Sequence, residues 1–324
     1  MSLVRFMKLL INEQIKIYIR KSTWAMYIIL AILVIGFAAL TNTFDETDKY
    51  SEDNWREELQ NENETLLKEN DEIKGDEFSE SIIGYNLETV DKNNYYLEND
   101  IQPLQYGAWR FIMDNRAMLS VVSLLTIIIA AGIVASEFRW GTIKLLLIRP
   151  ISRHLILLSK YISVLLFALF TLLFVFVFSL IIGSIFFGFE GINPHLVMQQ
   201  DGAWAQISII NEIFSGYGYS LVNLVMMATF AFMISAAFRN STLAIGVAIF
   251  LMMAGNSIVG FFSDRDWAKY ILFANTDLKR YADGSSPWVE GMTMGFSITV
   301  LLVYYVIFMV VTWVFFTKRD VAGN

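Results

Sequence analysis

Six stretches of about 17 to 33 mostly apolar residues dominate this chain, and a helix needs about 20 such residues to cross a bilayer core. They lie near Trp24 to Leu40, Ala117 to Ala135, Leu155 to Phe187, Ser220 to Ala237, Ser241 to Phe262 and Met292 to Phe316. The expected fold is therefore an all-α polytopic membrane protein. Hydrophobic residues make up 56% of the chain, and the spans consume so much of its length that one sizeable polar insert remains. That leaves no room for a separate soluble enzyme domain.

An even number of spans puts both termini on one side, and the basic residues indicate which. Five Lys or Arg precede the first span, five lie from Arg139 to Lys160, one is Arg239, and two are Lys318 and Arg319. The other side holds 11, seven of them in the 45–116 loop among 20 Asp or Glu. Long loops count little in the positive-inside rule, so the short flanks decide and both termini are expected in the cytoplasm. The net charge of −7 then belongs to the outer loop. The amino terminus is basic like a secretion signal but lacks its small-residue cleavage pattern, so the first span, residues 23–42, is expected to be retained.

The polar segments carry their own patterns. Residues 1–22 set Leu3, Phe6, Met7, Leu10, Ile11, Ile15 and Ile19 among Arg5, Lys8, Lys16 and Arg20, with the spacing of an amphipathic elbow helix lying along the cytoplasmic interface. In the acidic 43–116 insert, Leu59, Leu66 and Ile73 recur every seven residues, which predicts a helix or short helical hairpin without the length of a coiled coil. Its carboxylates lack the ordered spacing of a calcium loop, and cap, sensor and solvated spacer remain open roles. The 188–218 segment reads as partly membrane-associated or as an ordered surface connection. The aromatic-rich 264–290 segment predicts interfacial or re-entrant helices before the sixth span.

Catalytic chemistry finds few carriers. With no cysteine there are no disulfides, thiolate metal sites or cysteine nucleophiles. His154 and His195 could meet only through folding and would still need a third ligand, so interfacial histidines are expected rather than a metal site. No G-x-x-x-x-G-K-[ST], H-E-x-x-H or G-x-S-x-G occurs. Span interiors carry no Asp, Glu, Arg or His, which disfavours an ion-driven carrier. Mild polarity remains at Ser120, Ser123, Thr126, Asn223, Thr229, Asn256, Ser257, Ser297 and Thr299, for which helix packing is the expectation. The functional alternative is that Asn223 and Asn256 line a cavity for an amphiphilic substrate.

Between the second and third spans, Glu137 and Arg139 leave one helix, Gly141 breaks it and Thr142 can cap another. Ile143, Leu146 and Leu147 recur at three and four residues, and Pro150 ends the run. Lys144 and Arg149 flank that stripe, with Arg153 and Lys160 beyond. A short basic amphipathic helix of this kind suits either anionic lipid or a docking protein.

That order of residues resembles the permease subunits of type-2 ABC exporters: an acidic residue ending the second span, a Gly-Thr pair, a leucine-rich short helix, a proline and then basic residues. Here they are Glu137, Gly141, Thr142, Leu145 to Leu147, Pro150, Arg153 and Lys160. The resemblance extends to the layout of nearly the whole chain. It implies a non-catalytic permease in a bacterial cell membrane, with a cytoplasmic coupling helix at residues 141–149 and with residues 117–324 carrying spans two to six. Separate ABC nucleotide-binding ATPase subunits, holding ATP and Mg, would grip Glu137, Arg139, Gly141, Thr142, Ile143, Leu146, Leu147, Pro150 and Arg153. A second copy or a paralogous permease would complete the pathway in membrane lipid; no nucleic acid partner and no cofactor on this chain are implied. The extracytoplasmic acidic insert departs from the smallest members of the family. An amphiphilic peptide or lipid-like substrate is the expectation, against the alternative of a non-transporting sensor or scaffold that reads an external ligand through the acidic loop.

Overall fold

The computed structural model describes residues 3–44, 54–73, 77–142, 151–192, 194–200 and 202–318. Six of its helices are long and apolar enough to cross a bilayer: α2 (Lys21–Phe44), α6 (Ala117–Arg139), α7 (Arg153–Phe187), α8 (Ile209–Phe238), α9 (Ser241–Phe262) and α11 (Met294–Lys318). Each matches one expected span. The shorter helices are α1 (Leu3–Tyr18), α3 (Trp55–Glu72), α4 (Glu77–Glu98), α5 (Ala108–Asp114) and α10 (Lys279–Ala282). The chain forms two compact units, one of Met1–Leu33, Arg116–Val177 and Ser215–Asn324, the other of Val34–Asn115 and Phe178–Phe214.

The first unit is built around α6. Its most apolar stretch is 67% buried, against 17% for α11, so α6 is the helix the others surround while α11 presents most of its surface outward. Ala130, Ala131 and Ala135 let neighbours approach closely, and Ile127, Val134, Tyr161, Phe167, Met227 and Phe232 fill the layer around them. Ser235 on α8 reaches into the α6 backbone, donating to the Ala131 carbonyl at 2.6 Å and accepting from the Ala135 N–H at 3.1 Å. A hydroxyl inserted between an i and i+4 pair of this kind loosens one rung of the helical ladder.

The second unit contains the 43–116 insert. Helices α3 and α4 form the expected hairpin, but its inward line is Trp55, Leu59 and Asn63, four residues apart, rather than Leu59, Leu66 and Ile73. Leu66 and Ile73 stay only half-buried because the facing side of α4 is polar. Asn63 donates to Asn94 at 3.0 Å and accepts from Asn93 at 2.9 Å, while Asn86 donates to Asn70 at 2.8 Å. At the wider end Trp55, Leu59 and Tyr96 pack with Val197.

Val197 belongs to the one departure from an all-α fold among the described residues. Strands β1 (His195–Gln200) and β2 (Ala203–Ser208) pair antiparallel from His195 with Ser208 to Gln200 with Ala203, with Gly202 at φ 82° in the turn. The 188–218 segment is thus largely a hairpin that runs straight into α8, whose helix begins 11 residues before the expected span at Ser220. The 264–290 segment forms two 3₁₀ turns (Asp266–Tyr270 and Leu272–Asn275) and the single turn α10, shorter than the helices expected there.

Gly255 of α9 sits against one of those turns, where an added Cβ would fall 2.4 Å from the Phe273 ring. Gly246 in the same helix faces open space. Replacing Gly255 with Leu is expected to lower the melting temperature of the purified protein, and the same change at Gly246 to leave it unaltered. Equal melting of the two variants would contradict the packing of the 3₁₀ turn on α9.

Candidate functional site

Four ionisable groups, Glu13, Lys16, Glu137 and Lys160, converge where α1 meets the end of α6 and the start of α7. Helix α1 exposes Val4, Met7, Ile11 and Ile15 along one stripe and turns Leu10, Glu13 and Ile17 inward. A break after Tyr18 is held by two side chains from the next helix: Thr23 donates its hydroxyl to the Ile17 carbonyl at 2.6 Å, and the Trp24 indole donates to the Tyr18 carbonyl at 2.9 Å. These satisfy carbonyls that the end of a helix leaves open. With α1 anchored in this way, Glu13 and Lys16 face α6 and α7.

There, Lys160 is wholly buried, and its ammonium donates to Glu13 Oε2 at 2.8 Å and to Glu137 Oε1 at 3.0 Å. Lys16 closes the group from the other side, 2.8 Å from Glu13 Oε1 and 2.8 Å from Glu137 Oε1. Two ammonium groups and two carboxylates thus cancel in charge, and each carboxylate touches both lysines. Burial pulls the Lys16 pKa down, but hydrogen bonds and charge from Glu13 and Glu137 outweigh it and raise the value above 10.5. Gln14 adds a further tie, donating to the Ser163 carbonyl of α7 at 2.9 Å. A buried ion pair of this geometry fixes how helices dock more than it adds net stability.

Of the expected coupling residues, Glu137 and Thr142 belong to this junction. Glu137 lies at its centre, and the Thr142 hydroxyl donates back to the Glu137 carboxylate. Gly141 adopts φ 68°, a left-handed conformation that ends α6 and suits glycine. Arg139 donates to the Ser241 hydroxyl at the start of α9, and Arg153 donates to the Thr317 carbonyl near the end of α11 at 2.9 Å. Ile143, Leu146, Leu147 and Pro150 lie outside the described residues, as does most of the 141–149 coupling helix. Glu13 and Lys16 belong to the site although nothing in their local spacing distinguishes them from a solvated helix face.

Asn223 and Asn256 come together as well. Both line a cavity of about 220 Å³ in the first unit with Ser220, Met227, Met252 and Asp277. Its wall joins amides, hydroxyls and the charged Asp277 and Lys279 to methionine and aromatic side chains. His154 accepts from the Trp313 indole at 2.7 Å, and His195 lies exposed on β1. Among the described residues no group of His, Asp or Glu is placed to hold a metal ion.

The chain belongs to the DUF2705 family, described as a protein of unknown function, whose pattern matches residues 80–322. It is 45% identical over 322 residues to the uncharacterized protein YhcI of Bacillus subtilis (strain 168), covering 98% of this chain and all of that relative. It is also 34% identical over 203 residues to the uncharacterized membrane protein YdbK of the same organism, covering 62% of this chain and 78% of YdbK.

Replacing Lys160 with Met leaves two carboxylates to share the half-exposed Lys16 alone and should cost about 3–5 kcal/mol, the usual effect of removing one partner from a buried ion pair. Changing Glu13 and Glu137 to Gln and Lys16 to Met in the same protein should recover most of that loss. Denaturant unfolding in mixed micelles reads both, and a Lys160→Met protein as stable as its parent would mean that the ammonium is solvated.

Proposed function

We propose that this chain is the membrane-spanning permease of an ATP-driven ABC exporter, and that its Glu137–Arg153 segment is the surface gripped by a separate nucleotide-binding subunit. One observation carries the reading: Glu137, Thr142 and Lys160, which frame the segment expected to be gripped, are locked through a buried ion network to helix α1. A segment that only reversed the chain would need no such anchor. One that must pass a push from a partner into the spans does, since slack between handle and helix dissipates the motion.

The neighbouring contacts support the same role. Arg139 ties the end of α6 to α9, and Arg153 ties the start of α7 to α11, so displacement of the segment reaches four spans directly. Inside α6 the Ser235 hydroxyl offers a rung at which the helix can bend. In this reading ATP and Mg sit on the partner, closure of paired partners draws two coupling segments together, and the cavity beside Asn223 and Asn256 receives an amphiphilic peptide or lipid-like cargo. Both termini and the gripped segment then face the cytoplasm of a bacterial cell, in line with the charge bias of the short flanks.

Affinity purification of the chain from mild detergent should bring down a P-loop ATPase. Substituting residues 141–147 with a Gly-Ser stretch should abolish that association while membrane insertion, read by fractionation, persists. Recovery of the same ATPase with the substituted chain would remove the coupling assignment.

A further inference from the structure

The second unit holds a cavity of about 260 Å³ whose charges are out of keeping with the segment that builds it. Acids outnumber bases 20 to seven in residues 45–116, yet two of those seven bases, Lys92 of α4 and Arg110 of α5, line this one cavity. Neither makes a hydrogen bond or ion pair among the described residues. The two carboxylates on the wall are already engaged: Glu62 accepts from the Asn93 amide at 3.1 Å, and Asp114 accepts from the Tyr106 hydroxyl. Lys92 and Arg110 therefore keep donors for a ligand, although the formal charges of the wall balance and Glu190, outside the lining, also acts on Arg110.

The two cations also act on each other. Lys92 is half-buried and its pKa is lowered, first by burial and next by Arg110, with Glu62 and Glu88 pulling the other way. The exposed Arg110 guanidinium lies 5.5 Å from the centre of the Tyr106 ring, a cation–π contact that leaves its N–H donors for an oxyanion. Tyr85, Tyr96 and Leu104 supply an aromatic and apolar remainder. The volume lies just under the range of about 300–1,000 Å³ common for small-molecule pockets, so an occupant would be small.

We infer that this cavity binds a compact oxyanion, a carboxylate or phosphate, between Lys92 and Arg110. The site is separate from the proposed coupling segment and does not rest on the exporter reading; it gives the acidic insert a ligand of its own. An anion seated there relieves the repulsion between the two cations and uses charge-assisted hydrogen bonds from both.

The test uses the full chain in nanodiscs of neutral phosphatidylcholine, titrated calorimetrically with inorganic phosphate and, separately, with benzoate. At least one should bind saturably. Lys92→Met and Arg110→Gln should each weaken that binding by about tenfold or more, the effect of losing one hydrogen bond to a charged group. Lys92→Arg should retain it, and Lys68→Met, which alters only a surface pair with Glu64, should leave it unchanged. No saturable binding of either probe, or equal affinity in the Lys92→Met and Arg110→Gln proteins, would overturn the inference. So would a signal seen only when the nanodiscs contain anionic phosphatidylglycerol, which would assign the two charges to lipid headgroups.

Discussion

The first unit depends on one buried ammonium. Lys160 has no exposed surface, and an unpaired charge in such a place would be costly enough to prevent the helices from packing around it. Glu13 and Glu137 meet it from two different helices, and Lys16 balances the carboxylate left over. The arrangement has little tolerance: sliding α1 by one residue along α7 would take Glu13 away and leave Lys160 and Glu137 to share an incomplete set. The network therefore specifies a single docking of α1, α6 and α7, which apolar contacts alone, being non-directional, would fix less sharply.

That specification gives the proposed function its mechanical sense. In the proposed reading work arrives from a partner subunit, and the place to receive it is a segment rigidly joined to the spans. Helix α1 adds a further property. Its exposed stripe of Val4, Met7, Ile11 and Ile15 suits the membrane interface, which in the proposed reading adds lipid to the charge that holds the junction. In that reading, movement imposed on the Glu137–Arg153 segment would be resisted by α1 and passed on to the spans that the two arginines contact.

Much of this was legible in the chain itself, because span length and apolar composition are local properties. Helix α9 begins and ends at the residues expected, since Asn240 accepts from the Thr242 and Leu243 amides as an N-cap of the kind sequence can signal. Helix α8 begins earlier than its apolar run because Ser215 to Ser220, with two glycines, reads as a breaker while the structure carries them in helix. The β-hairpin had a signal in the sequence, since an Asp-Gly pair at 201–202 is a common two-residue hairpin turn. The site divides in the same way. Glu137 and Lys160 stood out through the resemblance, as the acidic residue that ends the second span and a basic residue beyond Pro150, whereas Glu13 and Lys16, three apart on an amphipathic helix, look like any solvated pair until the fold brings them to Lys160. The asparagine pairs of α3 and α4 were hidden for a similar reason, since a polar helix contact leaves no apolar period to read.

The central claim is that the segment anchored by this ion network is a docking surface for an ATPase. Because the chain has no cysteine, a Leu146→Cys change introduces a single thiol, to which a short photoactivatable cross-linker can be attached in native membranes. The account predicts an adduct with a P-loop nucleotide-binding protein, at a yield that changes when ATP is trapped. Adducts confined to lipid, or to a protein without a nucleotide-binding site, would contradict it.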